Sequence, residues 1–205
     1  MARRGRPRGS DRAVTRRRIV VAARSEFATC GFIGASIANI AGSAGLAASA
    51  VYHYFGSKDA LYEVVFDETI DAIWAEIHTT ALVHDTVYAN LESLMQSTAS
   101  LYLTRPHYSD FLALAPIEAR INRQFAHLLD HRRKLQDTTF GALAELGIDT
   151  GELAGFDVDS ATDVLRSLIM GWFFERYFNG SAGATGERSL LRLFEILGSR
   201  QTTPG

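Results

Sequence analysis

A single cysteine, Cys30, stands in the 205 residues. It excludes an intramolecular disulfide and any cysteine cluster for a structural metal, and it points to a reducing cytoplasm as the compartment. Prolines number four, and strand-like alternation is scarce, which favours helices. No window holds ~18 uninterrupted apolar residues, so no membrane-spanning segment is expected. Even the most apolar stretch, residues 164–178, contains Arg166, Glu175 and Arg176. The first apolar run, residues 19–23, is too short for a secretory core. Glycine-rich phosphate loops, serine elbows and HExxH are missing, and the carboxylates are scattered. An enzyme is therefore disfavoured, and no cofactor or metal is implied.

What is present is an ordinary globular composition, 47% hydrophobic with a net charge of −2. At ~150 residues per domain the length fits one to two domains. The charge is unevenly placed. Residues 1–60 hold nine arginines and Lys58 against Asp11, Glu26 and Asp59, a balance of +7. The remainder holds 11 basic and 20 acidic residues, a balance of −9. Segments of opposite sign suggest a nucleic-acid-binding head on an acidic body, and arginine suits bidentate phosphate and base contacts.

Residues 1–12 lack an apolar pattern and read as a disordered basic arm. From Thr15, Ile19, Ala23 and Phe27 form a helical stripe that Gly31 ends. Ser36 is an N-cap for a short helix bearing Ile37, Ile40 and Ala41. Ala44-Gly45-Leu46 is a turn. A third helix covers 48–55, and a fourth runs from Ser57 to about Thr80 with Phe66, Ile70, Ile73 and Ile77 on one stripe. Further helices are expected near 86–104, 109–120, 122–146, 159–179 and 187–198. Pro106 and Pro116 break or kink the chain, and Gly147 and Gly151 mark a loop. The fold class is all-α, with about nine helices. A helix-turn-helix domain over 13–60 precedes a second helical domain over 61–205, to which the resemblance described below assigns ligand binding and dimerisation.

Residues 36–55 have the shape of a helix-turn-helix, whose second helix can enter a major groove. The wider string resembles the TetR family of bacterial transcriptional regulators. The matching residues are Ile19, Ala22-Ala23, Phe27, Gly31-Phe32, Ser36, Ile40-Ala41, Ala44-Gly45-Leu46, Val51-Tyr52-His53-Tyr54-Phe55, Ser57-Lys58 and Leu61. They cover roughly residues 15–65. The sequence departs from the family where Ala47, Ser49 and Ala50 replace the usual Ser or Thr cap and the Gly-Thr pair.

The DNA-contacting set expected on this basis is Ser36, Ala48, Ser49, Ala50, Tyr52, His53, Tyr54 and Lys58, with Arg4, Arg6, Arg16 and Arg17 from the arm and first helix. Ser36 can cap its helix and donate its hydroxyl to phosphate. Ala48 and Ala50 can meet thymine methyls. Tyr54 and Phe55 also suit the core of the small domain. The resemblance implies phosphate contacts for Tyr52 and Lys58. Arg4-Gly5-Arg6-Pro7 resembles an AT-hook core, which would lie in a narrow minor groove. The same residues also fit a tail giving non-specific, salt-sensitive affinity.

The resemblance further implies an effector pocket in the second domain. The candidates are Trp74, His78, Tyr102, Phe111, Phe125 and Trp172, each of which also fits plain core packing. The last two helices are apolar nearly all round, which suits a homodimeric four-helix interface. That interface would use Leu165, Ile169, Trp172, Phe173, Leu190, Leu193, Phe194 and Leu197. His127 and His131 stand four apart as metal ligands can, yet their charged neighbours suit a solvated face. Cys30 reads as a small core residue.

The expected function is a cytoplasmic DNA-binding transcriptional regulator. It would be a repressor that binds a palindromic double-stranded operator as a homodimer and is released by a small hydrophobic effector, with the fourth helix as the link. The alternatives are an activator, a regulator whose second domain meets a protein, and an architectural DNA-binding protein without a ligand.

Overall fold

The computed structural model describes residues 8–79, 82–179 and 183–199. Among them the elements are α1 (Arg8–Gly34), α2 (Ile37–Ser43), α3 (Ala48–Phe55), α4 (Lys58–His78), α5 (Val87–Thr104), α6 (Pro106–Ile121), a 3-10 turn (Arg123–Phe125), α7 (Ala126–Asp149), α8 (Val158–Asn179) and α9 (Gly183–Ser199). The described residues contain no strand. The chain divides into two compact units. The first comprises residues 1–70 and 110–128, and the second residues 71–109 and 129–205.

In the first unit, α1 begins at Arg8, ahead of the start at Thr15 that periodicity suggests. Asp11 sits in its first turn, where a carboxylate favours the positive end of the helix dipole. Gly31, with φ 66°, kinks the element. A side chain there would place Cβ 2.6 Å from Oε1 of Glu118, so only glycine fits. That carboxylate accepts the N–H of Phe32 at 2.8 Å, satisfying a donor that the kink frees from the helix ladder.

The core of this unit is aromatic. Phe32 stands edge-on to Phe125 at 4.7 Å between ring centroids, and Tyr62 lies 4.5 Å from Phe125 and 5.2 Å from Phe111. Such tilted and edge-on pairs match the ring quadrupole. Cys30, expected in the core, is exposed at the end of α1.

In the second unit, Asn90 is fully buried and closes the loop ahead of α5. Its Oδ1 accepts from the backbone of Val83 and His84, each at 3.1 Å, and its Nδ2 donates to the carbonyls of His84 and Thr86 at 2.8 Å. Glu152 caps α5 by accepting from the backbone of Val87 at 2.7 Å and Tyr88 at 3.2 Å. Asp157 caps α8, and the N–H of Ser160 holds its carboxyl below the usual range.

Two expected breaks are not breaks. Helix α6 begins at Pro106, a first-turn position that needs no donor, and continues through Pro116. Helix α7 runs past Gly147 to Asp149. Gly147 is instead a close-packing position, where a Cβ would lie 2.6 Å from Leu153 and 2.8 Å from Val87. Helix α9 packs on α8 and α5. No helix among the described residues is long and apolar enough to cross a membrane.

Candidate nucleic-acid interface

Helices α1, α2 and α3 form the helix-turn-helix. Ile40 and Ala41 bury one face of α2, and Val51 anchors α3. The turn between them needs Gly45 at φ 65°. The N–H of Gly45 bonds to Gly42 at 3.0 Å, and that of Leu46 to Ala41 at 2.9 Å. Arg18, from α1, donates to the carbonyl of Ala44 and lies where a Cβ on Gly45 would come within 2.7 Å. The sharp angle is therefore held by backbone geometry and one arginine together.

With Val51 turned inward, α3 leaves a contiguous outer face. Ser49, Tyr52 and His53 are exposed, and Ala48, Ala50 and Tyr54 are half-buried. Ser36 caps α2, its Oγ accepting from the backbone of Ala38 at 3.2 Å and Asn39 at 3.4 Å. The hydroxyl hydrogen remains available to an outside acceptor. Glu26 steadies this cap by accepting from the backbone of Ser36 at 3.2 Å and the Nδ2 of Asn39 at 2.9 Å.

The basic residues divide into engaged and open groups. Lys58 donates to the carbonyls of Ala35 at 2.6 Å and Ile33 at 3.3 Å, and its ammonium lies 4.7 Å from the ring centre of Phe32. It ties down the carbonyl end of α1, where a cation is favourable. Arg16 pairs with Glu68 and stacks over Phe55 at 5.6 Å. Arg17 is exposed and makes no ion pair among the described residues. Arg12 lies 5.8 Å over the ring of Tyr54. Arg4 and Arg6 lie outside the described residues.

Sequence reasoning did not single out Arg12, Glu26 or Glu118, and gave Arg18 a role in phosphate attraction only. Each acts on a partner at least ten residues away, which no local motif encodes.

The six pocket candidates fall in both units. Phe111 and Phe125 belong to the aromatic core of the first unit. Trp74 and Trp172 are buried in the second, and His78 is exposed with its Nε2 3.4 Å from Oγ1 of Thr139. The side chain of Tyr102 lies outside the described residues. The interface candidates divide as well. Leu165, Ile169, Trp172 and Phe194 are covered within the chain itself. Phe173 and Leu190 are half-buried, Leu193 is exposed, and the side chain of Leu197 lies outside the described residues. The apolar surface that remains open includes Val164, Phe178, Leu193 and Ile196.

His127 lies 3.6 Å from Glu63, and His131 3.7 Å from Asp71. No group of three or more metal-ligating side chains occurs among the described residues.

Residues 19–65 match the family model described as bacterial regulatory proteins, tetR family. No curated protein matches the sequence. Among solved structures, the chain is similar to the regulator FadR of Bacillus subtilis in complex with stearoyl-CoA. The TM-score is 0.73 and the identity 20%, over 87% of this chain and 96% of that one. It is similar to a protein from Rhodococcus sp. assigned to the TetR family of transcriptional regulators (TM-score 0.71, 15% identity, 90% and 98% of the two chains). It is also similar to the ketosteroid transcriptional regulator KstR2 of Mycobacterium tuberculosis (TM-score 0.64, 20% identity, 88% and 93%). The helix-turn-helix segment of residues 19–65 is thus that of the tetR family of bacterial regulatory proteins, and the chain as a whole has the fold of TetR-family transcriptional regulators.

Proposed function

We propose that the protein is a ligand-responsive transcriptional repressor that binds double-stranded DNA as a homodimer. The observation that carries this reading is the outer face of α3, with Ser49, Tyr52 and His53 exposed beside the Ser36 cap. In this reading α3 enters the major groove. Ala48 and Ala50 meet thymine methyls, and Tyr52 and Ser36 donate to phosphates. Two of the three N–H groups of Lys58 are spent on the carbonyls of Ile33 and Ala35, leaving one for a phosphate. Arg17 and the arginines of the arm add sequence-independent attraction.

Two chains related by a two-fold axis call for a palindromic operator, with half-sites about one helical turn, ~34–36 Å, apart or somewhat more. The open apolar residues of α8 and α9, among them Phe178, Leu193 and Ile196, supply a surface for the second copy. A small hydrophobic effector taken up by the second unit would favour a subunit arrangement whose recognition helices no longer match that spacing. Such release needs different affinities for the two arrangements. Helix α4 is uninterrupted from Lys58 to His78 and is the proposed link. The stearoyl-CoA bound by the similar FadR and the ketosteroid in the name of KstR2 support a hydrophobic effector.

The test is a gel shift on the DNA upstream of the protein's own coding region, with and without hydrophobic compounds. A retarded band that such a compound abolishes supports the reading. Absence of any sequence-preferring band would remove it.

A further inference from the structure

The second unit buries hydrogen-bond donors without matching acceptors. The indole N–H groups of Trp74 and Trp172 are buried, and neither finds an acceptor among the described residues. Buried indole N–H groups ordinarily do find one. The guanidinium of Arg132 has no carboxylate partner among the described residues, and its one hydrogen-bond contact is the Sδ of Met170 at 3.9 Å. Burial alone pushes Arg132 below its ordinary value, with no anion opposing the shift. Buried Gln136 spends its amide on the same sulfur at 3.0 Å. A thioether is a weak acceptor, so Arg132 and Gln136 share one poor partner.

Contacts within this unit set these groups at one level. On α7, Arg132, Gln136 and Thr139 follow i, i+4, i+7 spacing and share a stripe about two turns long. Helix α4 lies alongside, with Asp71 at His131 and His78 at Thr139. Trp74 falls between those two contacts, three residues after Asp71 and four before His78, on the same face of α4. Helix α8 approaches α7 from another side, pairing Arg166 with Asp137 and Met170 with Gln136. Trp172, two residues after Met170, projects from another face of α8, with Arg176 5.9 Å over its ring. Arg166 is neutralised by Asp137 and Asp163, which leaves Arg132 as the guanidinium of this cluster without an anion.

We propose that this cluster binds the carboxylate of an apolar monocarboxylic acid, with Arg132 as its charge partner, Gln136 and the indole of Trp74 as further donors, and Met170 as the side chain that yields. The inference rests on the reading that the second unit takes an effector, and it names that effector's chemical class. One guanidinium balances one negative charge, which suits a carboxylate better than a phosphate dianion. Methionine has three rotatable bonds and adapts its packing readily. The surrounding apolar residues, Ile73, Ile77, Phe140, Leu165 and Ile169, are buried and suit the remainder of the acid.

Trp74 is one of only two tryptophans in the chain, so intrinsic fluorescence reports on the cluster. Full-length protein would be titrated without DNA, using dodecanoate and cholate as probes, their methyl esters as uncharged controls, and dodecyl phosphate. The expected result is a saturable change in tryptophan emission with at least one of the two acids, and at least tenfold weaker binding of its ester and of dodecyl phosphate. Arg132→Met should abolish the preference for acid over ester without lowering the Tm of the ligand-free protein. Arg132→Lys should keep part of it. No saturable change with either acid, equal affinity for acid and ester, tighter binding of dodecyl phosphate, or an unchanged preference in Arg132→Met would each overturn the proposal. If the acid binds as described but operator affinity does not change, the repressor reading fails while this site stands. If another compound releases operator and neither acid binds, the reverse holds.

Discussion

The backbone N–H of Phe32 donates to Oε1 of Glu118, on α6, at 2.8 Å, across 86 residues of sequence. The other carboxylate oxygen of Glu118 accepts from Asn122 at 2.8 Å, so the side chain is held at both ends. Glu118→Ala leaves the Phe32 donor without a partner next to the helix-turn-helix. The expected loss is about 1–3 kcal/mol in chemical denaturation, the usual cost of an orphaned, largely buried donor. Gly31→Ala should cost at least as much, because it combines positive φ with a Cβ 2.6 Å from the same carboxylate.

Tyr62 gives this unit an alkaline limit. Burial first, and the charge of Glu118 second, push its hydroxyl well above the ordinary value of 10.0. The folded chain keeps this proton at pH values where the unfolded chain has lost it. Stability is therefore whole below pH ~10 and falls as pH rises beyond it. Tyr62→Phe should flatten that alkaline limb while leaving the neutral-pH Tm within a few degrees. Thermal melts of both proteins between pH 8 and 11.5 check this, and an equally steep limb in the variant would assign the loss to other groups.

Asn90 satisfies four backbone groups from a position with no solvent exposure. Asn90→Ala orphans several of them at once and should cost about 2–4 kcal/mol, taking each at the low end of the usual penalty. Asn90→Asp retains the acceptor but loses both amide donations, and it should be no better tolerated. Urea midpoints at constant m-value would measure both effects.

Much of the first unit is legible in the sequence because its determinants are local. Ser36, Gly45 and the Ile37, Ile40 and Ala41 stripe specify cap, turn and buried face within a dozen residues. The α4 stripe and the Gly31 stop are read from periodicity in the same way. What escapes is long-range. Nothing near Gly31 announces Glu118, and nothing near Ala44 announces Arg18. Periodicity shows that Phe111 and Phe125 are buried, but it does not say against what, and they pack on Phe32 and Tyr62. Gly147 reads as punctuation although it is a contact point inside α7. Charge counts likewise place basic residues near DNA without showing that Arg16 and Lys58 are already engaged within the chain.

That division of the basic residues is testable. Arg17 is exposed and makes no ion pair among the described residues, so Arg17→Ala should weaken DNA binding about equally on all sequences. Each lost phosphate contact lowers the slope of log affinity against log salt by about 0.9. Lys58→Ala should instead lower stability as well as affinity, since it frees the carbonyls of Ala35 and Ile33. Salt titrations by fluorescence anisotropy, paired with thermal melts, separate the two cases.

The most direct test of the repressor reading is an anisotropy titration of a labelled duplex taken from upstream of the coding region. Wild type would be compared with Tyr52→Ala and Ser49→Ala, both exposed on α3. The account predicts saturation at two chains per duplex and a preference over scrambled DNA. Each variant should lose about tenfold or more in affinity, about 1.4 kcal/mol, with an unchanged Tm. Equal affinity for scrambled DNA, or variants that bind as wild type does, would contradict it.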